Sequence, residues 1–263
     1  MDFELKANNF SLKDTLTCGQ CFRFRVVGDD SFLIFAGNNS AVVTQNDNTL
    51  AFKFSTCGAD FWENYLDLRY DYDQLLNNFN GDEILEKAMC LCGGIKILRQ
   101  DPWEALVSFI ISANNNIPRI QGIIDRLCVN FGEKIENGFS FPSAATLKNC
   151  SNDDLSILRA GFRSRYIIDA ICKVNSGEID LTKIYDMNVE DAKKILMKIC
   201  GVGDKVSECV LLFGYHKMDA FPVDVWMKKI LKQHYPHGLS EQISSCPGLA
   251  QQILFHAKRN EYI

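Results

Sequence analysis

The chain has 263 residues, of which 47% are hydrophobic and 23% are charged, with 28 basic residues against 33 acidic ones. This composition excludes collagen, a disordered tail protein and a small disulfide scaffold, and the length suits one large or two ordinary domains. No apolar run reaches the roughly 18 residues that a membrane helix needs, and the first residues do not form a secretory signal. We therefore expect a soluble protein that stays inside the cell and has no membrane partner.

The predicted secondary structure divides the chain into two unlike parts. Alternating apolar residues separated by Asn, Asp and Gly predict antiparallel strands at 22–27, 32–35, 42–44 and 50–54. From about Phe61 the apolar period changes to 3.6 and predicts helices nearly to the end of the chain. Asp101, Asn188 and Ser240 are predicted N-caps, Ser240 that of the last helix. The predicted fold class is α+β, with a small N-terminal antiparallel β-sheet domain at 1–80 and a helical domain at 81–263.

The eleven cysteines are scattered along the chain, and their number is odd, which does not fit a disulfide framework. We expect most of them to be buried, reduced thiols that pack as small hydrophobic side chains. Cys18 and Cys21 have the spacing of a thioredoxin-type redox pair, but a predicted strand follows them and no βαβ pattern surrounds them. A redox function is therefore the weaker interpretation.

A helical hairpin is predicted at about 192–212. The apolar pattern of 192–199 predicts a helix, and Gly201 and Gly203 flank one apolar residue before a second helix begins near Asp204. Such a turn directs the first backbone amides of the second helix outwards, where they can bind a phosphate. An ordinary hairpin, whose glycines only satisfy backbone geometry, explains the same three residues.

Two residues near this hairpin suggest chemistry. Lys205 lies in the first turn of the second helix, where the helix dipole disfavours a positive charge, so it is a candidate amine nucleophile as well as an ordinary surface lysine. Nineteen residues later, Asp224 opens another helix, for which it is a natural N-cap. An Asp close to a nucleophilic Lys can also stabilise positive charge that develops in a transition state.

The distribution of charge favours a polyanionic partner, although the overall net charge of −5 argues against one. Between Lys193 and Lys232 there are eight lysines and four acidic residues, a net charge of +4. The rest of the chain carries 20 basic and 29 acidic residues, a net charge of −9. A basic island in an acidic chain predicts a local phosphate-binding face.

The spacing of this hairpin, its lysine and the later Pro-Val-Asp resembles the helix-hairpin-helix DNA glycosylases, and within them the 8-oxoguanine DNA glycosylases. The resemblance covers most of the chain. It implies base flipping, with Lys205 as the nucleophile at the sugar C1′ and Asp224 as its electrostatic and acid–base partner. The endonuclease III branch, the nearest alternative, usually carries four C-terminal cysteines for an iron–sulfur cluster, whereas only Cys246 follows Cys209 in this sequence.

Two further segments of the resemblance concern the damaged base. Gly19-Gln20-Cys21-Phe22-Arg23 is similar to a family motif whose Gly carbonyl accepts a hydrogen bond from N7–H of 8-oxoguanine, a proton that guanine lacks. Gln251 and Phe255 are four residues apart on the last predicted helix. The resemblance implies that they bind the base by its edge and its face, with Cys209 on the other side. Without the other motifs, plain core packing is the better explanation of Phe255.

The resemblance also implies contacts with DNA and with a cation. By similarity Asn114 fills the space left by the flipped base, Arg119 and Arg163 face the estranged cytosine, Phe162 wedges against the duplex, and Gly201 and Gly203 shape the hairpin. The hairpin carbonyls of Met197, Ile199 and Val202 would hold a structural cation that bridges to DNA. Two residues depart from the family pattern, since Cys200 replaces a common Pro and Trp226 replaces a common His.

The sequence thus predicts a bifunctional DNA repair glycosylase and lyase that acts in base excision repair on 8-oxoguanine in double-stranded DNA. We expect no required cofactor, no iron–sulfur cluster and a monomer, located in the cytoplasm with the nucleoid of a bacterium or in the nucleus of a eukaryote. The alternatives are an endonuclease III-like enzyme for other damaged bases and a noncatalytic helix-hairpin-helix module that only binds DNA.

Overall fold

A computed structural model describes all residues, 1–263. The chain up to Lys53 forms a five-stranded antiparallel sheet in the order β1-β5-β4-β3-β2, with one short helix between its first two strands. The elements of this part are β1 (Phe3–Lys6), α1 (Leu12–Thr17), β2 (Phe24–Gly28), β3 (Ser31–Ala36), β4 (Asn39–Asn46) and β5 (Thr49–Lys53). All four predicted strands are present, and the sequence analysis missed β1 and α1.

The remaining chain is mainly helical. Its helices are α2 (Ala59–Tyr65), α3 (Tyr72–Asn77), α4 (Glu83–Cys92), α5 (Pro102–Ser112), α6 (Ile117–Phe131), α7 (Arg163–Asn175), α8 (Val189–Leu196), α9 (Asp204–Tyr215), α10 (Val225–His234), α11 (Glu241–Ser245) and α12 (Pro247–Arg259). Two 3-10 helices, Asp154–Leu158 and Lys183–Asp186, and a two-stranded hairpin of β6 (Lys134–Ile135) and β7 (Gly138–Phe139) lie between them. The predicted α+β fold is confirmed, although the helical part is interrupted by this hairpin.

The predicted helix caps meet different outcomes. The side chains of Asp101 and Asn188 accept hydrogen bonds from the first turns of α5 and α8, as N-caps do. Ser240 caps α11 and not the last helix, so that prediction was wrong. The last helix begins at Pro247, which needs no amide donor at a helix start.

Two clusters of buried side chains hold the molecule together. The smaller one packs α1 and α2 against the sheet and contains Trp62, Phe32 and Phe52, all at most 2% exposed. The larger one fills the space between the helices and includes Tyr72 and Phe79. The two clusters overlap along the sequence, since Cys18 and Phe22 belong to the larger one and Leu98 belongs to the smaller one. A folding unit that ends at residue 80 stays a prediction.

The cysteines fit the expected reduced state. All eleven are free, and six are buried, which are Cys18, Cys21, Cys92, Cys128, Cys209 and Cys246. None of the helices combines the length and the apolar character that crossing a membrane requires.

Candidate active site

The turn between α8 and α9 forms the predicted helical hairpin. Gly201 has a φ of +80°, which residues other than glycine rarely adopt. A Cβ at this position would also clash with the ring of Tyr166 on α7, so both the backbone conformation and the packing require glycine. Gly203 is the N-cap of α9 and provides no side-chain acceptor for the first turn of that helix. Space around Gly203 is open, so the amides at the start of α9 are free to bind an external anion.

The hairpin is anchored to α7 and offers carbonyl groups to a cation. The amide of Cys200 donates to Oδ2 of Asp169 at 2.7 Å, and Lys173 donates to the same oxygen at 3.0 Å. Of the three carbonyls in the predicted cation site, that of Ile199 accepts from the amide of Val202, while those of Met197 and Val202 accept no hydrogen bond from the protein. These oxygens suit a hard cation, and the cation itself stays a prediction.

Lys205 extends from the first turn of α9 over an apolar surface. Its Nζ lies 5.2 Å from the ring centre of Phe109, which stacks on Phe213 at 5.3 Å. No carboxylate oxygen lies within 4 Å of Nζ, so Lys205 forms no ion pair. The half-buried amine is thus held on a rigid aromatic base beside an open space.

Asp224 is the N-cap of α10, as the sequence predicts, and it faces the same space. Its Oδ1 accepts hydrogen bonds from the amides of Trp226 and Met227 at 2.9 and 2.8 Å. Oδ2 has no hydrogen-bond partner in the protein and is not buried. One oxygen of the carboxylate therefore fixes its position, while the other can face a substrate.

One open pocket brings together both predicted catalytic residues and all four predicted base-binding residues. Its walls are Cys18, Gly19, Phe109, Lys205, Cys209, Phe213, Pro222, Asp224, Gln251, Gln252 and Phe255. Gln251 is 4% exposed, and its Oε1 is buried without any hydrogen-bond partner. An unpaired buried amide oxygen costs free energy unless a ligand supplies the missing donor, so this atom marks a polar contact for the pocket's occupant.

The parts of the pocket wall formed by Gly19, Cys209 and Phe255 carry no charge. Phe255 presents the edge of its ring 3.5 Å from the position that a Cβ on Gly19 would take, and Gly19 has a φ of +86°. Burial raises the pKa of the Cys209 thiol, although Lys205 nearby opposes this shift. The thiol is therefore protonated at neutral pH and provides a polarisable surface against which a base can stack.

The sequence analysis missed five of the residues that line the pocket. Phe109 and Phe213 lie in apolar stretches of α5 and α9 that are typical of core, and only the fold shows that they meet below Lys205. Cys18 and Gln252 adjoin predicted site residues, and their proximity in the sequence was the available signal. Pro222 directly precedes the segment that carries Asp224.

A second group of predicted residues lies outside this pocket, around the turn between α5 and α6. Asn114 is exposed with a φ of +50°, Arg119 is exposed on α6, and Phe162 is 49% exposed at the start of α7. Arg163 is only 2% exposed, and it donates to the carbonyls of Ala113 at 2.9 Å and Asn114 at 2.7 Å. In this structure Arg163 therefore fixes the loop that carries Asn114, and its contact with a cytosine stays a prediction.

The basic island is less free than its composition suggests. Lys193 pairs with Glu208 at 2.9 Å and Lys194 with Asp191 at 2.8 Å. Lys217 donates to the carbonyl of Tyr185 at 3.0 Å. Because these three amines serve the protein's own structure, the free part of the island is limited to the other lysines near the hairpin and on α10.

The Cys18–Cys21 pair lacks the character of a redox site. Both thiols are buried, and burial raises the pKa of Cys18 to about 11 and that of Cys21 well above its ordinary value. Reactive cysteine pairs require an accessible thiolate, which these conditions disfavour. A βαβ unit is also absent, since the sheet is antiparallel throughout.

Comparison with known proteins decides the family. A model of the 8-oxoguanine DNA glycosylase N-terminal domain matches residues 2–106. The solved 8-oxoguanine glycosylase/lyase of Clostridium acetobutylicum, in complex with DNA containing cytosine opposite 8-oxoguanine, is 33% identical with a TM-score of 0.91, over 100% of this chain and 99% of that one. The chain belongs to the 8-oxoguanine DNA glycosylase family. The predicted family is thereby confirmed.

Other relatives agree with this assignment. The structure of MBOgg1 in complex with a low-affinity DNA ligand is 35% identical with a TM-score of 0.93, and the similarity covers 99% of this chain and 96% of that one. The N-glycosylase/DNA lyase of Saccharomyces cerevisiae is 39% identical over 54% of this chain and 42% of its own length. The chain thus spans less than half of that curated relative. A 3-methyladenine DNA-glycosylase from Archaeoglobus fulgidus, at 16% identity, shares the fold.

Proposed function

We propose that the protein is a bifunctional DNA glycosylase and lyase that excises 8-oxoguanine from double-stranded DNA. The observation that carries this proposal is the pocket in which the free amine of Lys205, the half-free carboxylate of Asp224 and the unpaired oxygen of Gln251 face one space. A noncatalytic hairpin module has no use for this arrangement. The family relationship and the DNA complexes of its relatives support the same substrate class.

The side chains that line the pocket suit a flipped purine. The ring would lie between Phe255 and the neutral Cys209 thiol, while Gln251 binds its Watson–Crick edge and supplies the buried Oε1 as an acceptor. The carbonyl of Gly19 would accept the N7–H of 8-oxoguanine. Guanine has a lone pair at N7, so it would repel this carbonyl, and discrimination would rest on that repulsion.

In the reaction, the Nζ of Lys205 forms a bond to C1′ while the bond from C1′ to the base nitrogen breaks. The electron pair of that bond leaves with the base, and positive charge develops on the sugar, where the carboxylate of Asp224 stabilises it. The amine adduct loses a proton and opens to a Schiff base. Removal of a proton from C2′ then expels the 3′ phosphate, and the strand is cut on the 3′ side of the lesion.

The proposed partner is a DNA duplex with 8-oxoguanine opposite cytosine, bound by a monomer. Asn114 would enter the space of the flipped base, with Phe162 at the duplex and Arg119 and Arg163 near the opposite base. No step above requires a cofactor, and a cation at the hairpin carbonyls of Met197, Ile199 and Val202 would only bridge to phosphate. The working compartment would be the one that holds the DNA, which is the bacterial cytoplasm or the eukaryotic nucleus.

Borohydride trapping tests the proposal directly. The wild type is incubated with a duplex that contains one 8-oxoguanine opposite cytosine, and borohydride reduces any Schiff base to a stable adduct that is seen by denaturing electrophoresis. We expect an adduct with the wild type and with Lys87→Gln, a control at an exposed lysine of α4, and none with Lys205→Gln.

The outcomes separate the alternatives. Base release without an adduct would indicate that water, and not Lys205, is the nucleophile. Tight binding of damaged DNA with neither base release nor adduct would support the noncatalytic module. Trapping on a duplex with an oxidised pyrimidine, but not on 8-oxoguanine, would support the endonuclease III-like alternative.

A further inference from the structure

The segment 17–20 crosses the rim of the pocket and is fixed by side chains from distant parts of the chain. Arg259 Nη2 donates to the carbonyl of Thr17 at 2.7 Å, and Gln252 Nε2 donates to that of Cys18 at 2.7 Å. Gln100 Nε2 donates to the carbonyl of Gln20 at 2.8 Å. We refer to Gln100, Gln252 and Arg259 as the carbonyl clamp.

The carbonyl of Gly19 is the exception within this segment. It accepts no hydrogen bond from any group of the protein, whereas each of its three neighbours has a side-chain donor. A backbone carbonyl that lines a pocket without a partner is an acceptor reserved for a ligand or for water. The clamp thus leaves a single available acceptor where four consecutive carbonyls could otherwise compete.

The clamp is also connected to the rest of the base pocket. Gln252 follows Gln251 on α12, and Arg259 lies one helical turn beyond Phe255. The guanidinium carbon of Arg259 lies 5.8 Å from the ring centre of Phe255, and its Nη1 is buried 3.5 Å from the position of a Cβ on Gly19. Helix α12 therefore carries Gln251 and Phe255, which would contact the base, together with Gln252 and Arg259, which hold segment 17–20.

Burial makes the clamp rigid. Gln252 is 2% exposed, and Cys18, whose carbonyl it holds, is fully buried. Gln20 is fully buried as well, and its own side chain bonds the amide of Leu98 and the carbonyl of Lys96, both at 2.8 Å. Loss of one clamp donor would leave a buried carbonyl unpaired, so the segment would rotate to recover a partner and would carry Gly19 with it.

We propose that the carbonyl clamp of Gln100, Gln252 and Arg259 is the specificity device of this enzyme, because it presents the Gly19 carbonyl alone and in a fixed direction to N7 of the flipped base. These three are positioning residues, since they act on the base only through Gly19. The proposal rests on the proposed function for its substrate, but the held state of segment 17–20 can be measured without DNA.

The first experiment measures the segment itself. The alkylation rate of each thiol by N-ethylmaleimide is followed by mass spectrometry in the wild type, Gln252→Met, Arg259→Met and the control Lys258→Met, which changes a neighbouring cation of α12 outside the clamp. We expect Cys18 to react about tenfold faster in the two clamp variants and unchanged in the control, while Cys128 stays protected in all four. Unchanged protection of Cys18 in both clamp variants would overturn the proposal, whatever the enzyme's substrate.

The second experiment measures specificity. In a Lys205→Gln background, the ratio of Kd for guanine and 8-oxoguanine duplexes should fall about tenfold with Gln252→Met or Arg259→Met and should not change with Lys258→Met. With Lys205 intact, Gln252→Met and Arg259→Met should slow the excision of 8-oxoguanine far more than the cleavage of a preformed abasic site, which presents no base. Equal losses of base excision and abasic cleavage would reduce the clamp to a structural role and overturn the specificity proposal.

Failure of the proposed function is distinguishable from failure of the clamp. A wild type that neither binds nor cleaves 8-oxoguanine DNA would remove the substrate and, with it, the specificity proposal. The alkylation of Cys18 would still decide whether these donors hold the segment. Partial recovery of Cys18 protection in Arg259→Lys is expected, since an ammonium can still donate to the carbonyl of Thr17.

Discussion

Lys205 and Asp224 line one pocket without contacting each other, and the proposed mechanism requires this separation. A direct ion pair would hold the amine in its charged form and fill the space that a sugar must occupy. Instead the amine rests on Phe109, and the carboxylate is fixed by two amides of α10 through a single oxygen. Both groups are thus fixed in place without a ligand, as the proposed electrostatic catalysis requires.

The double use of Asp224 can be separated experimentally. Asp224→Asn keeps an acceptor oxygen for the amides of Trp226 and Met227, and Asn is as good an N-cap as Asp, so the melting temperature should change little. The negative charge beside the developing oxocarbenium ion is lost, and we expect the single-turnover rate of base excision to fall by about 10²-fold or more. Asp224→Ala should lower both stability and rate. An unchanged rate in Asp224→Asn would limit Asp224 to its cap.

Gln251 has a buried, unpaired oxygen of the kind expected in a residue that binds a ligand. Its side chain is buried, yet Oε1 has no partner, in a protein where the neighbouring Gln20 and Gln252 donate to the backbone. Native proteins rarely leave such an atom unpaired. This contrast supports the proposed role of Gln251 in base recognition and a structural role for the two glutamines beside it.

The hairpin of α8 and α9 combines a fixed half and an open half. Gly201 is enclosed by Tyr166 of α7 and requires a positive φ, while Gly203 stands in open space with a φ of −104°. The amides at the start of α9 face outwards because neither glycine supplies a capping side chain. The position of the hairpin against α7 therefore depends on Gly201, whereas the access of a phosphate to the amides of α9 depends on Gly203.

Alanine substitutions test this division. Gly201→Ala places a methyl group against the Tyr166 ring at a left-handed φ, and we expect a loss of about 2–4 kcal/mol in the free energy of unfolding. Gly203→Ala should cost less than about 1 kcal/mol, because nothing contacts the new Cβ. Urea denaturation followed by circular dichroism measures both. Equal effects of the two substitutions would contradict the structure.

The two parts of the molecule are joined by buried polar contacts as well as by apolar packing. Arg23, the last residue of the Gly19-Gln20-Cys21-Phe22-Arg23 motif, pairs with Glu104 of α5 at 2.9 Å and donates to the carbonyl of Phe139 in β7 at 2.8 Å. Asp67, after α2, accepts from Arg99 at 2.6 Å, from Tyr72 at 2.8 Å, and lies 2.8 Å from Nε2 of His216 beyond α9. These contacts link the sheet part to α5 and the loop after α2 to the end of α9.

Asp67 predicts an acid-sensitive junction. Burial alone would raise the pKa of this carboxyl, but its hydrogen bonds with His216, Tyr72 and Arg99 outweigh burial and lower the pKa below the usual 3.8. The stabilisation is therefore complete above the unfolded value and is lost as the pH falls through the lowered pKa. We expect Asp67→Asn to cost about 2–4 kcal/mol at neutral pH, and the difference from wild type to shrink below pH 3.8.

The matched control is Asp60→Asn. Asp60 also pairs with an arginine, Arg69, but its side chain is 95% exposed, so solvent screens the pair and Asp60→Asn should leave stability nearly unchanged. Chemical denaturation at several pH values between 3 and 7 measures both variants. A difference between Asp67→Asn and wild type that grows on acidification would contradict the direction of the pKa shift.

Local patterns in the sequence were sufficient for the strands of the sheet, for the caps of α5, α8 and α10, and for the spacing of hairpin, Lys205 and Asp224, because each of these depends on neighbouring residues. The short β1 and α1 escaped, since four and six residues are too few to show a period. The misplaced cap at Ser240 has the same cause, since α11 has only five residues.

The tertiary structure decided what no local pattern contains. Only packing brings Gly19 from the edge of the sheet part to Phe255 of the last helix, places Phe109 and Phe213 under Lys205, and turns Arg163 inwards to hold the loop of Asn114. The carbonyl clamp joins residues up to 242 positions apart, such as Thr17 and Arg259. Chemistry-bearing residue types can be read from local spacing, but the unpaired acceptor that they surround exists only once distant donors have occupied its neighbours.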